Sequence, residues 1–229
     1  YVYPQMADFT FYGGIYRDVN IICVPKAHFD LDFWGGPGIQ VTPVVNGADA
    51  NVNVIGYFTG LSGNETVKYI IKDGDATVAE TIVPATEGKA DLRIENCHLW
   101  NGLKDPYLYT LEATLVDGEK ELDSRIVRFG CRYYEIHPEK GFILNGKEYP
   151  LRGVSRHQDR WGIGNALLPE HHREDAALIR EVGATTIRLA HYQHNQVFYD
   201  ACDELGFVLW AEIPYISQHM PKGRENTNT

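Results

Sequence analysis

The stretch Leu151-Arg152-Gly153-Val154-Ser155 begins the repeating pattern that decides the fold of this chain. It runs into Arg156-His157, and two further apolar segments follow, Thr185-Thr186-Ile187-Arg188-Leu189 and Phe207-Val208-Leu209-Trp210-Ala211. Segments with apolar residues at helical spacing separate the three. Strands that alternate with amphipathic helices indicate a parallel sheet. We therefore predict strand, helix, strand, helix, strand over residues 151–211.

Polar side chains stand at the end of each predicted strand. His157 follows the first strand, His191 follows the second and Glu212 follows the third, while Arg188 lies within the second. Ligands of parallel sheets, and of barrels closed from them, bind at the carboxyl ends of the strands. The pattern therefore predicts that these four residues belong to one active site.

Turn and cap residues mark the elements between these strands. Pro169 suits the first turn of a helix, and Gly183 suits the position after its end. Gly206 ends the second helix, whose apolar face includes Cys202. Ahead of both helices, Asn145-Gly146 is typical of a tight β-hairpin.

Short strand-like segments separated by turns occupy residues 25–132. About seven strands within roughly 100 residues, without intervening helices, indicate an immunoglobulin-like sandwich. Residues 16–24 also have a strand-like pattern, which we assign to a preceding domain. The predicted sandwich strands are His28–Trp34, Gly38–Val45, Val52–Phe58, Thr66–Lys72, Val78–Val83, Tyr107–Val116 and Glu121–Phe129.

The predicted fold is therefore multidomain. Residues 1–23 would be the terminal strand of a preceding domain, residues 24–132 the immunoglobulin-like β-sandwich, and residues 133–229 the start of a (β/α)₈ TIM barrel. A complete barrel has eight strands and typically about 250 residues. Because only three such strands are predicted here, we expect an incomplete barrel and a chain that is a fragment of a longer protein.

Composition and charge exclude several classes of partner. The net charge is −10, which argues against nucleic acid, because binding to a phosphate backbone needs clustered positive charge. No apolar run approaches the length needed to span a membrane. No signal peptide is visible, which favours a cytoplasmic location and leaves secretion or a periplasmic location open. Among the four cysteines, a disulfide between two of Cys23, Cys97 and Cys131 also stays an open alternative.

Several motifs resemble glycoside hydrolase family 2, and within it the bacterial β-galactosidases. They include Gly13-Gly14-Ile15-Tyr16-Arg17-Asp18-Val19, Arg152-Gly153-Val154-Ser155-Arg156-His157 and Arg188-Leu189-Ala190-His191-Tyr192. The resemblance implies a jelly-roll sugar-binding domain, a sandwich and a catalytic barrel, in that order. It also implies a retaining exo-β-glycosidase that hydrolyses terminal β-D-galactosides with two glutamates and is a homo-oligomer at full length.

The same resemblance implies roles for individual residues. His157 and His191 would line the sugar subsite, Arg188 would lie beside the nucleophile, and Glu212 would be the acidic residue that ends the third strand. Asp8 would reach the galactosyl 6-hydroxyl through a bound sodium or potassium ion. Both catalytic glutamates would follow residue 229, so we expect the chain alone to be inactive.

The resemblance also places the family's magnesium ligands at Ile216 and Gln218, neither of which suits a hard cation. We therefore predict no magnesium site. His191 and His194 lack the third ligand that a zinc site requires. Trp161 has two alternative interpretations, a sugar-stacking platform or loop packing.

Two alternative functions remain open from the sequence. One is a β-glucuronidase or another exo-glycosidase of the same family, whose acidic sugar would call for a further basic subsite. The other is a non-catalytic carbohydrate-binding or assembly module built from the same folds.

Overall fold

The computed structural model describes residues 12–213. Over this range the chain forms two compact units, one of residues 21–149 and one that joins residues 12–20 to residues 150–213. The strands of the first unit pair antiparallel, and those of the second pair parallel with helices between them. The predicted domain limits, 1–23, 24–132 and 133–229, stay predictions.

The first unit is a sandwich of two antiparallel sheets. One sheet has the order β2-β3-β7 and the other the order β6-β5-β8-β9, while β1 pairs with β4 and β10-β11-β12 form a separate small sheet. The strands in chain order are β1 (His28–Phe29), β2 (Ile39–Asn46), β3 (Asp49–Gly56), β4 (Phe58–Thr59), β5 (Thr66–Asp73), β6 (Ala76–Pro84), β7 (Lys89–Ile94), β8 (Tyr109–Asp117), β9 (Lys120–Phe129), β10 (Tyr134–His137), β11 (Gly141–Leu144) and β12 (Lys147–Glu148).

Alternating side chains from both sheets fill the core of the sandwich. In β8, Tyr109, Leu111, Ala113 and Leu115 are buried, and the residues between them are partly exposed. Successive side chains of a strand point to opposite faces, so this alternation places every second residue between the sheets. The buried residues of β3, β5, β7 and β8 form one hydrophobic cluster, which confirms the predicted sandwich.

The structure corrects the predicted strands in three places. No described residue between 16 and 24 belongs to a strand, because an apolar pattern does not supply the hydrogen-bonding neighbour that a strand needs. The first sandwich strand is shorter than predicted and ends at Phe29. Strand β7, which the prediction omitted, alternates as clearly as β8, with Ala90, Leu92 and Ile94 buried.

The second unit contains the beginning of a parallel βα array. Its elements are β13 (Gly153–Arg156), α1 (Pro169–Glu181), β14 (Thr186–Leu189), α2 (Gln196–Leu205) and β15 (Val208–Ala211), and the three strands pair in the order β13-β14-β15. A Cβ atom on Gly153 would lie 2.2 Å from the carbonyl oxygen of Thr186, so glycine is required where β13 meets β14. This arrangement confirms the predicted start of a TIM barrel.

Two helix limits follow predicted cap residues, since α1 begins at Pro169 and α2 ends at Leu205, directly before Gly206, which has φ of 87°. The N-terminal cap of α2 is Asn195, whose side chain accepts the N–H of Val197. Cys202 is buried as a free thiol, and Cys23, Cys97 and Cys131 are also free. No helix within residues 12–213 is long and apolar enough to cross a membrane.

Candidate functional site

The carboxyl ends of β13, β14 and β15 bring together the four described residues that the sequence predicts as site residues. Arg188 on β14 is in register with Ser155 on β13 and with Trp210 on β15. His157 and His191 follow β13 and β14, and their ring centroids lie 5.6 Å apart. The two histidines are therefore close enough to contact one small ligand.

Arg188 and Glu212 form an ion pair at this edge. Nε of Arg188 donates to Oε1 of Glu212 at 2.6 Å, and Nη1 of Arg188 donates to the hydroxyl of Ser155 at 3.3 Å. The backbone N–H of His191 donates to Oε2 of Glu212 at 2.8 Å. The pKa of Glu212 lies below its usual range, mainly because of this backbone donor and secondly because of the guanidinium of Arg188. Glu212 is therefore a carboxylate at neutral pH and is suited to fixing its neighbours.

His191 has a backbone conformation that is uncommon for a residue with a side chain. Its φ is +63°, in the left-handed region that favours glycine. Such conformations persist where the surrounding structure fixes them, and they cluster at functional sites. The N–H of His191 bonded to Glu212 is one such fixing contact.

A tyrosine connects the loop after β13 to the loop after β14. The hydroxyl of Tyr192 accepts the backbone N–H of Gln158 at 2.8 Å and lies 3.3 Å from Nδ1 of His157. The buried side chain of Gln158 in turn accepts the backbone N–H of Asn195 through Oε1 at 2.7 Å. These bonds join the loops that carry His157 and His191.

A buried charged cluster lies behind the two histidines. Arg156, the residue before His157, is 5% exposed, and the imidazoles of His172 and His194 beside it are 1% and 2% exposed. Burial and the charge of Arg156 lower the pKa of each imidazole to about 4. The position of His172 at a predicted helix start favours a solvated side chain. The structure corrects that expectation, because His172 lies on the buried face of α1 together with Ala176.

The buried face of α1 differs from the face that its apolar residues predict. Leu178 and Val182, at helical spacing, are 54% and 73% exposed. His172 and Ala176 are buried, and Asp175 between them bonds to Arg156. The sequence did contain a pattern for the buried face, since residues 172, 175, 176 and 179 also have helical spacing. That pattern includes His172 and Asp175, and a search for apolar residues does not assign such polar residues to a core.

The exposure of Trp161 decides between its two interpretations. Trp161 is 99% exposed, so the loop-packing interpretation is wrong.

Nη2 of Arg17 donates to the carbonyl oxygen of Gln193 at 2.6 Å. The segment 14–19 lines an open groove of about 500 Å³ together with Tyr192 and Gln193.

The predicted cation site cannot be placed in this structure. Asp8, Ile216 and Gln218 lie outside the described residues. Within residues 12–213, no three histidine, cysteine, aspartate or glutamate side chains cluster in a way that could hold a metal ion. The predicted monovalent cation near Asp8 therefore stays a prediction.

Two models of one family match the chain. "Glycosyl hydrolases family 2" matches residues 37–132, which include most of the sandwich, and "Glycosyl hydrolases family 2, TIM barrel domain" matches residues 135–229. The chain belongs to glycoside hydrolase family 2. The family-level resemblance carried by the motifs is thereby confirmed, whereas specificity for galactosides is not.

Named relatives within family 2 include two different activities. The chain is 39% identical to a "Beta-glucuronidase" of Bacteroides fragilis, over 94% of this chain and 32% of the relative. It is 28% identical to a "Beta-galactosidase" of Thermoanaerobacter pseudethanolicus, over 92% of this chain and 28% of the relative. The chain thus spans about a third of the length of these family 2 relatives.

A solved family 2 structure is similar over most of the chain. The crystal structure of an "FMN-binding beta-glucuronidase from Facaelibacterium prausnitzii L2-6" has a TM-score of 0.89 and 49% sequence identity, and the match covers 93% of this chain and 33% of that one. The fold described above is therefore similar to that of an experimentally determined structure.

Proposed function

We propose that this chain is part of a retaining exo-β-glycosidase that hydrolyses β-D-glucuronides. The carboxyl edge of β13, β14 and β15 would bind the terminal sugar. The observation that carries the enzyme class is the placement of His157 and His191, with rings 5.6 Å apart, beside the ionised Glu212. Imidazole nitrogens can donate to or accept from sugar hydroxyls, which is the contact that such a site needs.

The proposed chemistry divides between this edge and two glutamates that we expect after residue 229. One glutamate would protonate the glycosidic oxygen, and the other would form the covalent glycosyl-enzyme intermediate. His157 and His191 would hold the sugar and stabilise the developing oxocarbenium state. Arg188, held in place by Glu212 and Ser155, would keep a neighbouring carboxylate ionised.

Glu212 itself is proposed to shape the site. Its two oxygens each accept a short hydrogen bond, from Arg188 and from the backbone of His191. A general acid must carry a proton at working pH, and Glu212 has a pKa that is shifted the opposite way.

Sequence similarity favours a glucuronide over a galactoside as the substrate. The identity is 49% and 39% to two proteins named β-glucuronidases and 28% to one named β-galactosidase. The galactoside, which is the main expectation from the motifs, is therefore the second candidate. An acidic sugar would require a further basic subsite, which we expect outside the described residues.

The test compares two aryl glycosides with the full-length protein that contains this chain. We expect kcat/KM for 4-nitrophenyl β-D-glucuronide to exceed that for the β-D-galactoside by roughly 100-fold or more, because a site that binds a carboxylate leaves its charged partners unpaired with a neutral sugar. NMR spectroscopy of the first-formed product should show the β-anomer. A preference for the galactoside would overturn the glucuronide proposal, and no hydrolysis of either compound would favour the non-catalytic module.

A further inference from the structure

The guanidinium of Arg156 uses all three of its nitrogens inside the second unit. Nε and Nη2 donate to Oδ2 of Asp175 at 3.0 and 2.7 Å. Nη2 also donates to Nδ1 of His172 at 3.0 Å, and Nη1 donates to Nδ1 of His194 at 3.1 Å. The plane of the group lies over the ring of Phe198, with Cζ 3.9 Å from the ring centroid. A planar five-donor group fits this set of partners, and a lysine ammonium does not.

The contact to His194 fixes the tautomer of that imidazole. Nδ1 must be the acceptor because the guanidinium has only donors. Nε2 then carries the proton and faces the carbonyl oxygen of Ala190 at 3.4 Å. Ala190 precedes His191, so the ring of His194 holds the peptide group between Ala190 and His191, the residue with the left-handed backbone conformation.

Arg156 also acts through its own backbone. Its carbonyl oxygen accepts the N–H of Ala190 at 3.4 Å, and the next residue in the chain is His157. The side chain and the main chain of Arg156 therefore both reach Ala190, which precedes one site histidine, while Arg156 itself precedes the other.

We propose that Arg156 is a positioning residue, which sets the separation and orientation of His157 and His191 through its contacts to His194 and Ala190. The proposal deepens the proposed function, because it assigns a role in the same sugar site, and it rests on that function for its effect on catalysis. Arg156 does not face the sugar in this role. Its two imidazole partners stay neutral acceptors, because an imidazolium could not accept a hydrogen bond from a guanidinium.

The first test uses Arg156→Lys in the full-length protein. Lysine keeps the positive charge but cannot contact Asp175, His172 and His194 together. We expect kcat to fall by roughly 100-fold, as displacements of about 1 Å in an active site can cause, while KM changes much less. The matched control is Arg173→Lys on the exposed side of α1, since Arg173 makes a single 3.4 Å ion pair with Glu204, and we expect its kcat to stay within twofold of wild type.

A second variant removes one link and keeps the packing. His194→Phe retains a flat ring that can stack on Tyr192, whose ring centroid lies 5.1 Å from that of His194, but it loses the bonds to Arg156 and Ala190. We expect a crystal structure of this variant to show the His157 and His191 centroids displaced from their 5.6 Å separation by about 1 Å or more. Should Arg156→Lys fail to fold, His194→Phe decides the question.

The kinetic and crystallographic measurements distinguish failure of the proposed function from failure of the positioning role of Arg156. If wild-type protein hydrolyses no aryl glycoside, the proposed function fails, and the histidine positions in the variant structures still decide the role of Arg156. If a folded variant keeps both histidines in place and retains wild-type kcat, Arg156 is not a positioning residue.

Discussion

Arg188 and Glu212, 24 residues apart in the chain, form a 2.6 Å ion pair across the carboxyl ends of β14 and β15. The pair is partly exposed, with 43% and 22% of the two side chains accessible. The second carboxylate oxygen is bonded to the backbone of His191. Glu212 therefore connects Arg188, which lies within β14, to His191, which has a left-handed backbone conformation. These contacts support predictions about both stability and function.

Glu212→Gln should have a larger effect on activity than on stability. An exposed ion pair contributes about 1 kcal/mol or less to folding, whereas the amide cannot hold Arg188 and His191 with the same charge-assisted bonds. We expect a clear fall in kcat/KM of the full-length protein and a loss of at most about 1 kcal/mol in urea unfolding. Glu80→Gln, in the surface ion pair with Lys68, is the control and should leave activity unchanged. Equal loss of activity in both variants would contradict the prediction.

Replacing His191 with glycine should separate stability from function. The left-handed conformation of His191 is unfavourable for a residue with a Cβ atom and ordinary for glycine. We expect the free energy of unfolding of His191→Gly to stay the same or rise by up to about 1 kcal/mol, while kcat/KM falls because the imidazole is gone. Asn96→Gly in the sandwich unit is the control, because Asn96 also has a left-handed backbone conformation, with φ of 48°. A strongly destabilised His191→Gly would show that the ring itself supports the fold.

The buried imidazoles should make stability depend on pH. The folded pKa of His172 and of His194 is about 4, below the usual 6.5, so between these values the unfolded chain binds protons that the folded chain does not. Stability therefore falls as pH decreases from about 6.5 to about 4, by roughly 3 kcal/mol for each histidine over the whole interval. Urea unfolding at pH 7 and pH 5 measures the upper part of this change, which is about 2 kcal/mol for each histidine.

Two variants test that assignment. His194→Phe should lose part of the pH dependence, because one titrating group is removed from the buried cluster. His137→Asn, at the end of β10, keeps a side-chain acceptor for the N–H groups of Glu139 and Lys140 and should retain the wild-type dependence. An unchanged slope in His194→Phe would show that His194 does not contribute.

Trp161 should affect ligand binding without affecting the fold. Its side chain is 99% exposed, so Trp161→Ala should change the free energy of unfolding by less than about 0.5 kcal/mol. If the ring stacks on a sugar, we expect KM for the aryl glycoside to rise about 3- to 10-fold, the equivalent of about 1 kcal/mol of aromatic contact. Trp34→Ala is matched in residue type and is 92% exposed in the sandwich unit. The stacking hypothesis fails if both variants have the KM of wild type.

The sequence by itself determined the type and order of most elements. Period-two alternation in β8 and the order of strands and helices after residue 151 depend only on local spacing, and the cap and turn residues Pro169, Gly206 and Asn145-Gly146 mark local backbone geometry. These signals also placed His157, His191, Arg188 and Glu212 at one edge, because the carboxyl ends of neighbouring parallel strands meet there.

Only the tertiary structure decided which polar residues became buried partners. Arg156 finds Asp175 and His194, 19 and 38 residues away, and a pattern that scores apolar residues cannot identify such pairs. The same limit explains why α1 turns His172 inward and leaves Leu178 exposed. Local spacing defines the faces of a helix, but the groups that the rest of the fold presents decide which face is buried, since a buried charge must find its hydrogen-bonding partners there.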